Sequence, residues 1–253
     1  MKKLFYLTII TTALVLLVSC RAYPNPVNSS EDVEGKRIGA LAGTPSLSLA
    51  EELGTASVFY SGTDMMSELR AGLIDCAIME RTTATELVSN TSGVRMLSDP
   101  ILEYELRFAV PMENMGLLNA VNSALDELSR NGTLRGLANR YFARGNFSYV
   151  SPEDVDRSAG ELTIALLTDS PPFSFINDEG HFIGMDVDVA TAVSDILGVK
   201  LIVQEHDDAF ELVTAVWHGR ADLALGWHPG EGESYVNTSE PYARAVQVVI
   251  VRR

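Results

Sequence analysis

The stretch His218-Gly219-Arg220-Ala221-Asp222-Leu223-Ala224 has an earlier counterpart in the chain, Ala71-Gly72-Leu73-Ile74-Asp75-Cys76-Ala77. In both, a helical segment ends at a glycine, and an aspartate then precedes an apolar strand. Glycine suits the left-handed conformation that ends many helices, and an aspartate side chain can bind the backbone amides of a turn. Matching helices precede both copies, so the repeat predicts two similar α/β units.

Short apolar strands alternate with helical segments on both sides of this repeat. The predicted strands are Arg37–Leu41, Ala56–Tyr60, Ile74–Met79, Glu105–Pro111, Leu162–Leu167, Lys200–Gln204, Asp222–Gly226 and Ala245–Val251. The predicted helices are Pro45–Leu53, Thr63–Ala71, Thr83–Ser89, Leu117–Asn131, Thr133–Phe142, Asp186–Leu197 and Ala209–Trp217. This order favours parallel sheets covered by helices, with a polar linker at residues 146–160.

Five motifs of the second half resemble, in order and spacing, the first lobe of extracellular solute-binding proteins of the polar amino-acid type, family 3. They are Leu162-Thr163-Ile164-Ala165, Pro171-Pro172-Phe173-Ser174-Phe175, Gly184-Met185-Asp186-Val187-Asp188-Val189-Ala190, Gly219-Arg220-Ala221-Asp222 and Ser239-Glu240-Pro241-Tyr242. Residues 36–142 resemble the second lobe through Gly35-Lys36-Arg37-Ile38-Gly39, Ala42-Gly43-Thr44, Gly72-Leu73-Ile74-Asp75 and the closing helix Gly132–Phe142. The resemblance implies an α/β, two-lobed periplasmic-binding-protein type II (Venus-flytrap) fold.

The two lobes occur in the reverse of the family's order, which predicts a circular permutation joined through residues 146–160. One lobe would cover residues 36–104, and the other would cover residues 105–253, with closing helices at 117–142 and its main body at 161–253. Strand Glu105–Pro111 would cross between the lobes, paired with Ala245–Val251. Permutation is tolerated where the original termini lie close together. A chance fusion of two half-proteins is the alternative.

The resemblance places the ligand in the cleft between the lobes, near the carboxyl ends of strands. Gly43-Thr44-Pro45-Ser46 begins a helix, where free backbone amides and the Thr44 and Ser46 hydroxyls would suit a carboxylate. Simple capping of the helix is the alternative. Glu80 stands where the family places the acid that binds an α-amino group, and the alternative is a surface salt bridge with Arg81.

The other lobe contributes three candidate ligand-binding residues, Asp169, Phe173 and Trp227. Asp169 ends a strand and could line the cleft. The Trp227 indole could stack on a planar ligand or lie over a cation. For both aromatic rings, packing within the lobe is the alternative.

One family feature is missing, because no arginine occurs between Arg220 and Arg244, where the resemblance predicts the residue that clamps the ligand's carboxylate. A bidentate guanidinium–carboxylate pair is a strong contact. Either Arg81, Arg244 or the helix start at residues 43–46 replaces it, or the ligand is not a standard amino acid. The acidic loop Pro229-Gly230-Glu231-Gly232-Glu233 would suit a cationic or aromatic amine.

The chain starts with Met1-Lys2-Lys3 and the apolar run Leu4–Val18, which together predict a signal peptide over residues 1–19. Leu17-Val18-Ser19-Cys20 matches the bacterial lipobox, so Cys20 is predicted to be lipidated and residues 20–35 to form a flexible tether. An ordinary signal peptide or a membrane helix is the alternative. The pattern predicts an extracytoplasmic protein anchored to a bacterial membrane.

The formal net charge of −15 argues against nucleic acid as a partner and against flat adsorption on anionic lipid. Cys76 lies in an apolar stretch and is expected to be a small buried core residue. The four histidines lack metal-ligand spacing. No metal or cofactor is therefore expected.

These features predict a monomeric, lipid-anchored receptor that closes on a small polar ligand, an amino acid or a related amine, and presents it to the membrane permease of an ABC transporter. No catalysis is implied. One alternative is a dehydratase-like enzyme on the same scaffold, with Glu80 or Asp169 as general acid. Another is a ligand-sensing partner of a membrane signalling receptor.

Overall fold

The computed structural model describes residues 26–42, 44–143, 145–206, 209–227 and 235–253, with the backbone alone at positions 169, 209, 210 and 227. The strands in these ranges are β1 (Arg37–Leu41), β2 (Thr55–Phe59), β3 (Cys76–Glu80), β4 (Val94–Met96), β5 (Leu102–Pro111), β6 (Glu161–Leu167), β7 (Asp169–Ser170), β8 (Ser174–Ile176), β9 (Phe182–Ile183), β10 (Lys200–His206), β11 (Leu223–Trp227), β12 (Val236–Thr238) and β13 (Ala243–Arg252). The helices are α1 (Pro45–Leu53), α2 (Gly62–Ala71), α3 (Arg81–Asn90), α4 (Met115–Arg130), α5 (Thr133–Phe142), α6 (Met185–Leu197) and α7 (Ala209–Trp217), preceded by a 3-10 turn at Ser30–Val33.

The N-lobe, defined here as β1–β4 with α1–α3, is a sheet buried on both faces. β2, β1 and β3 pair in parallel, and β3 continues onto β13. Ala77 and Met79 face a core shared with α2, whereas Cys76 and Ile78 face a core shared with α1. Burial on both faces explains why residues 76–79 of the central strand β3 are apolar throughout. The predicted burial of Cys76 is confirmed, and it raises the pKa of the thiol to about 12.

The C-lobe, defined here as β6–β12 with α4–α7, repeats this arrangement. β10, β6 and β11 pair in parallel. One face of the sheet packs against α4, α5 and α6 through a large apolar core, and the other packs against α7. The short strands β7, β8 and β9 form a separate three-stranded sheet. This small sheet carries the Pro171–Phe173 segment.

Two ten-residue strands, β5 and β13, cross between the lobes and join their sheets. The two strands pair with each other as predicted, but through residues 102–106 and 243–247, which lie antiparallel and largely precede the predicted ranges. The remainder of β5 pairs with β11 and β12, and the remainder of β13 pairs with β3 and β4. The parallel pairing expected from the sequence does not extend to these two strands, because each runs antiparallel to its neighbours.

The internal repeat is structurally equivalent in the two lobes. Gly72 and Gly219 both adopt positive φ, 76° and 65°, as expected. Asp75 accepts a hydrogen bond from the Arg37 amide at 2.9 Å, and Asp222 accepts one from the Thr163 amide at 2.7 Å. Each carboxylate thus binds the adjacent parallel strand, which fixes the strand register.

Among the described residues, no helix is long and apolar enough to cross a bilayer. The same residues contain no group of three or more histidine, cysteine or acidic side chains arranged to hold a metal ion.

Candidate functional site

A narrow pocket forms where the carboxyl ends of β1 and β3 face the Pro171–Phe173 segment of the C-lobe. Its free space is about 270 Å³, open solvent included. The N-lobe, the C-lobe and the crossing strand β13 all contribute to its lining, which consists of Leu41, Thr44, Pro45, Ser46, Met79, Glu80, Thr83, Pro171, Phe173 and Gln247. Four of the residues predicted from the sequence therefore meet in one place: Thr44, Ser46, Glu80 and Phe173.

Glu80 is the last residue of β3 and the N-cap of α3. One of its carboxylate oxygens, Oε2, accepts hydrogen bonds from the amides of Thr82 at 2.6 Å and Thr83 at 3.2 Å. The residue is only 6% exposed, and this burial raises the pKa of the carboxyl, although the two amide hydrogen bonds act in the opposite direction. A positive charge entering the pocket would stabilise the ionised form.

The alternative partner for Glu80, a salt bridge with Arg81, is not formed within the described part of the chain. Arg81 begins α3 and does not line the pocket. Arg244 extends from β13 with its side chain 74% exposed and pairs with Glu105 at 3.3 Å. Neither arginine stands where it would replace the missing carboxylate clamp in this structure.

Helix α1 begins at the pocket, with Thr44 at its N-cap and Pro45 in its first turn. The Thr44 hydroxyl donates to the Leu41 carbonyl at 2.8 Å and forms no capping hydrogen bond, so capping by Thr44 is not observed. The buried Ser46 hydroxyl donates to Gln247 Oε1 at 2.5 Å. Contact between a ligand and either hydroxyl stays a prediction.

Gln247 is a pocket residue that the sequence reasoning missed. It is fully buried, lies opposite Glu80 in the β13–β3 register, and donates from Nε2 to Tyr104 Oη at 3.3 Å. A signal for it exists, since Gln247 is the single polar residue in the apolar run Val246–Val251. A polar side chain in a buried strand requires a partner. Met79, Thr83 and Pro171 were also missed.

Phe173 lines the pocket from the opposite lobe and also packs within that lobe, 6.0 Å from the ring of Phe142. The first turn of α6 holds its backbone, because the Asp186 amide donates to the Phe173 carbonyl at 2.9 Å. The Met185 amide donates to the Pro172 carbonyl at 3.0 Å in the same way. The start of α6 therefore positions the C-lobe wall of the pocket.

Behind this wall lies a buried polar pair, Asp186 and Tyr242. The Tyr242 hydroxyl donates to Asp186 Oδ1 at 2.7 Å and accepts from the Gly226 amide at 3.3 Å. Asp186 Oδ2 has no hydrogen-bond partner among the described residues. Complete burial raises the pKa of Asp186 to about 7, whereas the Tyr242 hydrogen bond lowers it. The pair connects two of the motifs that carried the family resemblance and does not line the pocket.

Several predicted positions lie outside what the structure describes. Gly43 and Cys20 are outside the described residues, as is the acidic loop at 229–233. The side chains of Asp169 and Trp227 are outside them too, although their backbones pair with Phe175 and Arg107. Their roles as ligand contacts remain predictions.

Residues 162–253 match bacterial extracellular solute-binding proteins, family 3. An L-cystine-binding protein of Escherichia coli strain K12 is 29% identical over 126 residues, covering 46% of this chain and 45% of the relative. The histidine-binding periplasmic protein of the same strain is 32% identical over 125 residues, covering 44% of this chain and 48% of the relative. The chain thus spans about half the length of these curated relatives.

A phosphate-binding protein of a phosphate ABC transporter from Streptococcus pneumoniae TIGR4 shares the fold, with a TM-score of 0.50 and 9% identity. The likeness covers 87% of this chain and 89% of that chain. The predicted family 3 resemblance and the predicted two-lobed type II fold are confirmed. The permuted lobe order stays a prediction.

Proposed function

We propose that this chain is a lipid-anchored, extracytoplasmic solute-binding protein that captures a small amine-bearing ligand between its lobes for an ABC transporter. The observation that carries the proposal is the buried carboxylate of Glu80, which lines a pocket shared by both lobes. The family 3 segment and the amino-acid ligands named for two relatives support the same ligand class.

The chemistry of the pocket favours an ammonium group. Burial disfavours the ionised carboxylate of Glu80, and a bound ammonium would offset that cost by a close opposite charge. The Thr82 and Thr83 amides already hold one carboxylate oxygen, so the group is fixed before a ligand arrives. A positioned acid loses less freedom on binding and therefore gives a tighter site.

Closure of the lobes would follow from contacts on both walls. Glu80 and Thr83 belong to the N-lobe wall, and Pro171 and Phe173 belong to the C-lobe wall. A ligand that touches both walls binds the closed form better and shifts the equilibrium towards it. The crossing strands β5 and β13 supply the connection about which such a movement would occur.

Attachment and location complete the proposal. Lipidated Cys20, after removal of residues 1–19, would hold the monomer on the outer side of a bacterial membrane, where it could meet the permease. The lobes would correspond to residues 36–104 and 105–253, in an order permuted relative to the family.

Isothermal titration calorimetry on the purified chain tests the ligand class with histidine, arginine, lysine, cystine, putrescine and glutamate as probes. We expect binding by an amine-bearing probe and a loss of at least about tenfold in affinity for Glu80→Gln, or about 1.4 kcal/mol. Glu103→Gln is the matched control, since Glu103 is exposed on β5. Failure of all six probes to bind, each of which carries an amine, or an equal loss in both variants, would contradict the proposal.

A further inference from the structure

A second pocket lies on the N-lobe, at the end of its strands away from the cleft. It is bounded by the segment Pro26–Asn28, by the end of α2 at Gly72 and by the last residues of β13. Its free space is about 1240 Å³, open solvent included. β13 covers five residues from Gln247 at the cleft to Arg252 here, about 16 Å of extended chain. The two pockets are therefore separate.

This second pocket is rich in arginine. Arg95, Arg252 and Arg253 line it. A fourth arginine lies beside them, because the Arg70 Nε is 3.9 Å from the position that a Cβ on Gly93 would occupy, and the Gly93 carbonyl accepts from the Arg253 amide at 3.0 Å. The acidic residue in the lining, Asp75, already pairs with Arg37 at 2.6 Å. We call Arg70, Arg95, Arg252 and Arg253 the arginine cluster.

Three members of the arginine cluster are open to a further anion. Arg70, Arg95 and Arg253 form no ion pair with an acidic side chain in the ranges that the structure describes. The chain as a whole has a formal charge of −15, so this cluster runs against the overall charge. Because positive charge is concentrated at one end of an otherwise acidic protein, the molecule has an uneven charge distribution that can orient it in an electric field.

The cluster also lies close to the predicted lipid attachment site. Pro26 lines the pocket and follows Cys20 by six residues, which span at most about 20 Å when fully extended. With Cys20 lipidated, the phosphate groups held closest to this pocket would be those of the membrane itself. Guanidinium groups bind phosphate oxygens in a bidentate manner.

We propose that the arginine cluster docks on the phosphates of anionic phospholipids and orients the protein, with the N-lobe on the membrane and the C-lobe away from it. The inference rests on the proposed lipid anchor. The anchor alone would leave the molecule free to rotate about its tether. Each arginine near an anionic surface raises the equilibrium constant for docking by roughly fivefold. The acidic remainder of the chain is repelled by the same surface, so the net charge of −15 still opposes flat adsorption and only this end of the N-lobe docks.

Hydrogen exchange on the full chain, expressed with its leader, tests the docking. The purified protein is placed in nanodiscs of phosphatidylcholine alone or with one third phosphatidylglycerol, and the amides of residues 93–95 and 251–253 are followed by mass spectrometry. We expect slower exchange in the anionic discs, and roughly 25-fold weaker docking in the Arg95→Gln/Arg253→Gln variant. Arg135→Gln/Arg220→Gln is the matched control, because both residues are exposed on the C-lobe side.

Identical exchange in the two lipids would overturn the docking, as would an equal loss in both double variants. Inorganic phosphate that slows exchange equally in phosphatidylcholine discs would also overturn it, by showing a site for soluble anions. Thermal unfolding of each variant reports its fold. The mass of the N-terminal peptide reports lipidation, and calorimetry reports solute binding, so failure of the proposed function is distinguished from failure of docking.

Discussion

Asp186 is a carboxylic acid enclosed completely in the C-lobe, with one oxygen bonded to Tyr242 and the other without a partner among the described residues. Burial raises its pKa in the folded state from 3.8 to about 7. A raised pKa means that the folded state favours the protonated acid. Its contribution to stability is therefore complete below pH 3.8 and is lost as the pH rises through 7.

Asp186→Asn removes this titration while it keeps an oxygen that can accept from Tyr242. We expect the free energy of unfolding of the variant to rise relative to the unmodified protein between pH 4 and 8, by up to about 4 kcal/mol. Urea unfolding at several pH values measures the difference, with Asp178→Asn at an exposed position as control. If the free energy of unfolding depended on pH in the same way for Asp186→Asn and the unmodified protein, the titration of Asp186 would not account for the change in stability between pH 4 and 8.

The position of helix α6 depends on the glycine that precedes it. Gly184 has a φ of +133°, and a Cβ atom there would lie 2.1 Å from the Phe173 carbonyl oxygen. Gly184→Ala must therefore displace either α6 or the pocket wall at Phe173. We expect a loss of more than about 2 kcal/mol in the free energy of unfolding and weaker ligand binding.

Gly160→Ala separates the clash from the backbone strain. Gly160 has a similar φ of +141°, yet no heavy atom lies within 4 Å of the position that its Cβ would occupy. Urea unfolding and calorimetry on both variants make the comparison. Equal effects of the two substitutions would mean that close packing of α6 on Phe173 does not stabilise the lobe.

The elements also show what a sequence pattern can and cannot predict. Pro45–Leu53, Thr133–Phe142 and Ala209–Trp217 were predicted with the observed bounds, because apolar periodicity and terminal residues are local properties. Strands of two or three residues, such as β4 and β9, are too short to show a period. Pairing direction is set by tertiary structure, so the antiparallel crossing strands were not predicted as such.

The same distinction holds for the pocket. Glu80, Ser46 and Phe173 were predicted because each lies in or close to a segment that carried the family resemblance. Gln247 has no such motif, and its position depends on how β13 enters the N-lobe sheet beside β3. Its bond to Ser46 joins positions 201 residues apart. Contacts at that separation follow from topology, which single-sequence patterns do not specify.

The lobe order is a property of the whole molecule, and it yields a test by rearrangement. Pro26–Asn28 and Arg253 line the same pocket, so a short linker can join them. A rearranged chain would start with residues 153–253, continue through a glycine–serine linker and end with residues 26–152. This chain would have the family's lobe order and retain every strand. We expect its free energy of unfolding to lie within about 2 kcal/mol of the original, because a surface loop changes chain entropy only slightly.

The matched control is a chain with the same linker opened between Leu106 and Arg107, inside β5. That cut interrupts the strand which pairs with β13 on one side and with β11 and β12 on the other. Thermal unfolding is measured by circular dichroism. We expect the control to show no cooperative unfolding transition, whereas the first rearrangement keeps both a cooperative transition and the ligand affinity of the original chain. If the first rearrangement also failed to fold, the two halves would depend on their present order, and the permutation would be wrong. Folding of both chains would instead show that β5 does not hold the lobes together.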